Sequence, residues 1–267
     1  SPYTQKVRQS MDSSLFSLAG RVALITGGNG GIGRSIALGF KAHGATVVVT
    51  GRNPDKNAAM AAELGDGHAV IELDVRDEHA VDRAVAEIVA RFGSLDILVN
   101  NAGIARRVAL LEMSTEDWNA VLETHLTGSF FCARAAAKAM VAGGRGGKII
   151  NIGSMYSLLG PPNLVNYAAA KTGMVGLTRG LGVELGEHNI QVNALLPGWH
   201  KTDLNRAILD GPLGDEVRHK TPARRLGTPD DLAGAAIFLA SSASDFVTAT
   251  TVVVDGGYSV TDRRWEE

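Results

Sequence analysis

Seven short apolar runs rich in β-branched residues, at 21–26, 45–50, 68–73, 95–100, 147–153, 190–196 and 250–255, punctuate the chain. Between them lie stretches of helical periodicity at about 31–43, 55–65, 77–92, 115–142, 163–187 and 229–241. Strands that alternate with helices need crossover connections, and crossovers build a parallel sheet with helices on both faces. The pattern therefore predicts an α/β fold, a single doubly wound domain with a seven-stranded parallel sheet, over residues 15–260. Neither a linker nor a repeat appears. The longest stretch without a clear period is 197–228, which reads as an irregular lid because long irregular segments in compact domains often close over sites. Trp199 and Leu204 within it would be costly to leave exposed. Residues 1–14 read as a loose extension, with Met11 an alternative start, and 261–267 as a polar tail. Trp265 in that tail either packs against a neighbouring subunit or is solvated.

Composition narrows the function classes. At 267 residues, 45% apolar and 20% charged, the chain fits one domain with a sizeable core. A formal charge of −2 leaves no basic footprint for nucleic acid. The single cysteine, Cys132, excludes an intrachain disulfide and suits a reducing, cytoplasmic setting. Its surroundings, G-S-F-F-C-A-R-A-A-A, mark it as helix core rather than nucleophile. No apolar stretch reaches the roughly 18 residues of a membrane span, and the first ten residues lack the apolar segment of a signal peptide. His43, His68, His79, His188 and His219 have no ligand spacing, so they read as surface residues and no metal is expected.

Chemistry concentrates in S-M-Y-S-L-L-G-P-P-N-L-V-N-Y-A-A-A-K, from Ser154 to Lys171. The Ala-rich segment after Pro162 predicts a helix, and residues four apart on a helix share a face, so Tyr167 and Lys171 meet. A phenol with a pKa of about 10 is a poor acid-base group at neutral pH, and a neighbouring ammonium is expected to lower it. Ser154 follows the apolar run 148–152, at the carboxyl end of a buried strand, which places its hydroxyl to hold a substrate oxygen beside the phenol. Standing alone, the Tyr-Lys pair is equally a solvated pair on a helix.

A second motif changes that balance. The run Arg21–Thr26 leads into G-G-N-G-G-I-G and then into an amphipathic stretch, the order strand, glycine turn, helix. Glycines 27, 31 and 33 allow a sharp turn and close approach to a pyrophosphate at the helix amino terminus. With N-N-A-G at 100–103, L-D-V at 73–75, N-I-G-S at 151–154, P-G at 197–198 and D-G-G at 255–257, the chain resembles the short-chain dehydrogenase/reductase family from about residue 15 to 258. The phrases around 100–107, 147–155, 197–205 and 238–246 most resemble its gluconate 5-dehydrogenase and 2-deoxy-D-gluconate 3-dehydrogenase branch.

The resemblance implies a Rossmann-type domain and hydride exchange between a nicotinamide cofactor and a carbon bearing a hydroxyl or carbonyl. It makes Tyr167 the general acid-base, Lys171 its partner and a holder of the nicotinamide ribose, and Ser154 the group on the substrate carbonyl. Cofactor residues are Thr26, Gly27, Asn29, Gly31, Ile32 and Gly33 in the glycine turn, Asp74 and Val75 at the adenine edge, Asn101, Ala102 and Gly103 on the adenine-ribose side, and Pro197, Gly198 and Thr202 toward the nicotinamide. His125 stands where the family usually has an asparagine that helps hold a relay water, so it either joins the relay, titrating near its ordinary pKa of about 6.5, or is a packing substitution. NAD-preferring relatives carry an acid about eighteen residues beyond the last motif glycine. Here that position is Gly51, and Arg52 follows it, so NADP is expected with NAD the alternative. The other reading of Arg52 is stacking on adenine.

The expected substrate is a small polar alcohol or ketone such as a sugar acid, met by Met155, Trp199 and one of Arg106 and Arg107, unless those arginines are solvated surface. The competing readings are a 3-oxoacyl-carrier-protein reductase and a non-catalytic nucleotide-binding regulator. The family implies a homotetramer built on the helices of about 115–142 and 163–187.

Overall fold

Each apolar run becomes a strand: β1 Val22–Thr26, β2 Thr46–Gly51, β3 Ala69–Glu72, β4 Ile97–Asn100, β5 Gly147–Ile152, β6 Ile190–Pro197 and β7 Thr251–Val254. The computed structural model describes residues 13–203 and 205–264; the extension up to residue 12, with Met11, and also Leu204 and Trp265, lie outside the described residues. All seven strands pair in parallel in the order β3-β2-β1-β4-β5-β6-β7. Every residue of β1, β4, β5 and β6 is buried, because helices cover both faces of the sheet centre.

Alternation along β1 sorts its side chains between two cores. Ala23 and Ile25 join Val47, Val49, Ile36, Phe40 and Ile237 on one side. Val22 and Leu24 join Val48, Leu98, Val85, Ile88, Cys132 and Met140 on the other. Cys132 is thus core, and burial pushes its thiol up to about 12.

The helices are α1 Gly31–Ala42, α2 Pro54–Leu64, α3 Glu78–Phe92, α4 Thr115–Leu122, α5 Gly128–Gly143, α6 Val165–Glu184, α7 Arg206–Leu209, α8 Pro212–Lys220 and α9 Ala233–Ala240. Local chemistry sets several ends. Asn53 and Asp77 accept from Lys56 N and Ala80 N as amino-terminal caps, and Gly93 closes α3 with a φ of 84°. Two expectations need correction. The single helix foreseen over 115–142 is interrupted by a wide π-turn, Glu123–Thr127, where Thr124 Oγ1 donates to the Ala120 carbonyl four residues back. The segment 197–228 is not irregular throughout, since it contains α7 and α8. Within those two helices only Leu209, Gly214 and Val217 are buried, so the apolar period is too sparse to read against the polar majority.

The chain winds outward from β1 to β3 and then returns to the other side of β1 at β4. Between the carboxyl ends of β1 and β4 the connections part in opposite directions, which opens a crevice. The glycine turn, the loop after β4 and the loop after β5 meet there.

Candidate active site

Thr26 and Asn101 tie the glycine turn to the loop after β4. Thr26 Oγ1 donates to Val99 O at 3.3 Å and accepts from Asn101 N and Ala102 N at 3.0 and 3.1 Å. Asn101 Nδ2 donates to Thr26 O and Gly27 O, each at 3.0 Å. Gly27 has a φ of 62°, and a Cβ on it would lie 2.8 Å from Ala102 Cα; on Gly33 it would lie 2.4 Å from Asn101 Nδ2. Gly31, by contrast, faces Thr202, with 3.6 Å from its notional Cβ to Thr202 Cγ2. Gly30 gives α1 no side-chain cap and the first turn carries no acid, so its leading N–H groups remain for an external anion. Ile32 packs against the first core. These features fit a dinucleotide pyrophosphate.

Beyond β5, Ser154, Tyr167 and Lys171 come together as the spacing predicts. Ser154 is 7% exposed, and its Oγ accepts from Tyr156 N at 3.1 Å. Lys171 is 4% exposed; its Nζ donates to Ile152 O at 2.7 Å and lies 5.5 Å from the Tyr167 ring centre. The expectation that the ammonium lowers the phenol is not met in this arrangement. Burial pushes Tyr167 up to about 12, opposed by the Ser154 hydroxyl, and burial brings Lys171 down to about 7. Both groups lose hydration together, and the lysine is spent on a carbonyl, so desolvation outweighs their mutual support.

His125 lies in the π-turn, 4% exposed, edge-on to Tyr167 with ring centres 5.2 Å apart. Its Nε2 is 2.7 Å from Ile104 O and 3.1 Å from Ile104 N. A Cβ on Gly103 would lie 2.2 Å from His125 Cε1, so the ring rests directly on that glycine. Burial first, then the Lys171 charge, brings His125 down to about 3, with the Ile104 bond opposing. The expected titration near 6.5 is therefore corrected: this imidazole is neutral throughout the physiological range.

At the carboxyl end of β2, Arg52 is half exposed, with its Nη1 3.8 Å from Asp74 Oδ2. Asp74 is held mainly by Arg76, whose side-chain hydrogen bonds keep its carboxyl below the ordinary range. Val75 is buried beneath, against the notional Cβ of Gly128 at 2.7 Å.

A cavity of about 430 Å³ opens beside the cluster, with Arg107, Tyr156, Pro162, Trp199, Val217, Lys220, Tyr258 and Arg264 among its lining residues. Tyr156 joins it to the cluster, its ring 6.4 Å from that of Tyr167 and 6.1 Å from Trp199. The four residues foreseen around the substrate separate here. Arg107 and Trp199 line the cavity, Met155 is buried one residue short of it, and Arg106 does not line it and lends its carbonyl to Asn166 Nδ2 at 3.3 Å. The segment 197–228 supplies Trp199 and α8, with Lys220 at its end, to the cavity wall, and Pro197 pairs with Val254 while Gly198 abuts Asp255.

Sequence reasoning missed three positioning groups and one histidine. Ser157 Oγ accepts from Ser154 N at 3.3 Å and donates to Lys171 O at 2.7 Å, which fixes the serine loop on α6. Asn166, fully buried, accepts from Tyr167 N at 2.8 Å and donates to Arg106 O and Asp117 O. Asn57 braces the end of β2. The signal for the first two was their place within the Ser154–Lys171 phrase itself. His200 is 4% exposed with Nδ1 3.2 Å from Gly198 O, whereas His43, His79, His188 and His219 are exposed as expected and His68 is half-buried, accepting from Val47 N at 3.0 Å.

Comparison with known proteins gives the same picture. A family model described as Enoyl-(Acyl carrier protein) reductase matches residues 27–259. The 2-dehydro-3-deoxy-D-gluconate 5-dehydrogenase of Escherichia coli (strain K12) is 41% identical over 247 residues, covering 92% of this chain and 98% of that one. The 3-oxoacyl-[acyl-carrier-protein] reductase of Chlamydia muridarum (strain MoPn / Nigg) is 39% identical, with 90% and 98% covered. A crystal structure of a gluconate 5-dehydrogenase from Burkholderia cenocepacia J2315, in complex with NADP and tartrate, superimposes with a TM-score of 0.89 at 44% identity, covering 93% of this chain and 98% of that one. With glycine turn, parallel sheet and Ser-Tyr-Lys cluster in agreement, the chain belongs to the short-chain dehydrogenase/reductase family of NAD(P)-dependent oxidoreductases.

Proposed function

We propose that this protein transfers hydride between NADP(H) and a secondary alcohol or ketone of a small sugar acid of the gluconate type. The observation that carries the reading is the contact of two sites through Tyr156: the buried Ser154 and Lys171 with the partly exposed Tyr167 on one side, and a cavity lined by Arg107 and Lys220 on the other. When bound, the nicotinamide supplies or accepts the hydride. Ser154 holds the substrate oxygen. Tyr167, protonated at neutral pH, donates its proton to that oxygen in the reductive direction. Lys171 orients the phenol and the ribose, while Ser157 and Asn166 bond the main chain of Lys171 and Tyr167 and hold that stretch of α6 in place. Arg107 has no ion-pair partner among the described residues and is suited to a substrate carboxylate. His125 keeps the Ile104 backbone in place and does not shuttle protons.

The gluconate-type relatives and the NADP-bound neighbour support the reading. Reduction of 3-oxoacyl thioesters is the second reading, favoured by the Chlamydia relative. A spectrophotometric screen of gluconate-type acids, neutral polyols and acyl ketones with NADPH and NADH separates them; turnover confined to acyl thioesters would remove the sugar-acid reading. A homotetramer through α5 and α6 belongs to the same proposal, supported by Phe130, Val141, Val165 and Val183 left exposed on those helices. Sizing in solution tests it.

A further inference from the structure

The carbonyl of Gly51, the last residue of β2, accepts from Asn57 Nδ2 at 2.9 Å, and Asn57 Oδ1 accepts from Asn29 Nδ2 at 2.7 Å. A main-chain carbonyl can only accept, so the first bond fixes which way the Asn57 amide is turned. Its oxygen must then face Asn29, and Asn29 must present its NH₂. Polarity is thus relayed from a backbone carbonyl through two amides into the glycine turn.

The position of that NH₂ is the informative part. A Cβ on Gly51 would lie 2.0 Å from Asn29 Nδ2 and 2.8 Å from Asn57 Oδ1. The Asn29 amide therefore fills the space that an acidic side chain at 51 would enter, and it puts a donor where that acid would put an acceptor. One N–H is taken by Asn57, and the other has no acceptor among the described residues. Arg52 stands next along the chain, half exposed, and Lys56 Nζ lies 4.0 Å from the notional Cβ of Gly30, over the glycine turn. Two cations and a spare amide donor lie there, a set of donors only, which suits a dianionic monoester better than a neutral ribose hydroxyl.

We propose that Asn57 is a positioning residue for cofactor choice: by locking Asn29 in its donor orientation beside Arg52 and Lys56, it makes the site select the cofactor that carries a phosphate on the adenine ribose. This rests on the NADP(H) reading above. It also means that an acid placed at 51 cannot reach a ribose until Asn29 is displaced.

The test is equilibrium binding, read as dissociation constants for NADPH and NADH from fluorescence titration of the native protein, Asn57→Ala and Gly51→Ala. Asn57→Ala frees the Asn29 amide to turn, and Gly51→Ala pushes on it with a methyl group. Each is expected to weaken NADPH about tenfold, the worth of one charge-assisted hydrogen bond, while NADH changes much less. The ratio of the two constants is the readout, since general damage to the fold would weaken both cofactors together. Equal losses for both, or an unchanged ratio in both variants, would overturn the role of Asn57. A native protein with no preference for NADPH would instead overturn the cofactor reading itself. If Asn57→Ala fails to fold, Gly51→Ala carries the test alone.

Discussion

His125 gives a prediction in which structure and sequence disagree by a measurable amount. Its ring is buried against Gly103 and Tyr167, and burial with the Lys171 charge takes its pKa to about 3. In the unfolded chain it returns to about 6.5. Above 6.5 the imidazole is neutral in both states and contributes nothing to the pH dependence of stability. Below 6.5 only the unfolded chain takes up the proton, so stability falls as pH falls, and the loss continues until the folded pKa is reached. Between pH 6.5 and 5 the interval of about 1.5 units, at about 1.36 kcal/mol per unit, gives a loss of about 2 kcal/mol from this one side chain. Urea unfolding at pH 7.5 and pH 5, at fixed protein concentration, should show native protein losing about 2 kcal/mol more than His125→Asn across that interval. All other titrating groups are common to both proteins and cancel in the comparison. The same substitution should leave the pH-rate profile between pH 6 and 7 unchanged in shape, because a neutral histidine has no inflection there to remove. Equal acid losses in the two proteins would refute the buried, neutral histidine. An inflection that vanishes in His125→Asn would restore it as a proton carrier.

Three other outcomes follow from the site. Tyr167→Phe keeps the ring contacts with His125 and Tyr156 and removes the proton, so turnover should fall about 10²–10⁴-fold in stopped-flow or steady-state assay, with NADPH binding essentially unchanged. Arg107→Ala should raise KM for a sugar acid about tenfold and barely affect a neutral polyol of equal length, whereas Arg106→Ala should do neither; equal effects of the two variants would remove Arg107 from carboxylate recognition. Gly103→Ala drives a methyl group into the His125 ring and should cost about 1–3 kcal/mol in urea unfolding, with much of the loss recovered in the Gly103→Ala/His125→Asn double variant.

The chain by itself determined the sheet, because a strand covered on both faces must be apolar along its whole length, and runs such as Val22–Thr26 and Ile190–Pro197 have that signature. It also determined that Tyr167 and Lys171 share a face, since helical spacing is a local property. Residues 197–228 hid two helices because few of their side chains meet the core. The approach of Ser154 to Tyr167 needed the loop after β5 to be pinned to α6 by Ser157, a contact between segments that no period records. Protonation was the least legible property of all. The pKa values of Tyr167, Lys171 and His125 depend on how much water the assembled fold removes from each group, and the contacts around them, Gly103 and Ile104 on His125 and Ile152 on Lys171, reach the site from other parts of the chain. Likewise, Gly51 reads in the sequence only as a missing acid, while the folded chain fills its place with the amide of Asn29, because the turn after β1 and the start of α2 are brought side by side by the pairing of β1 with β2.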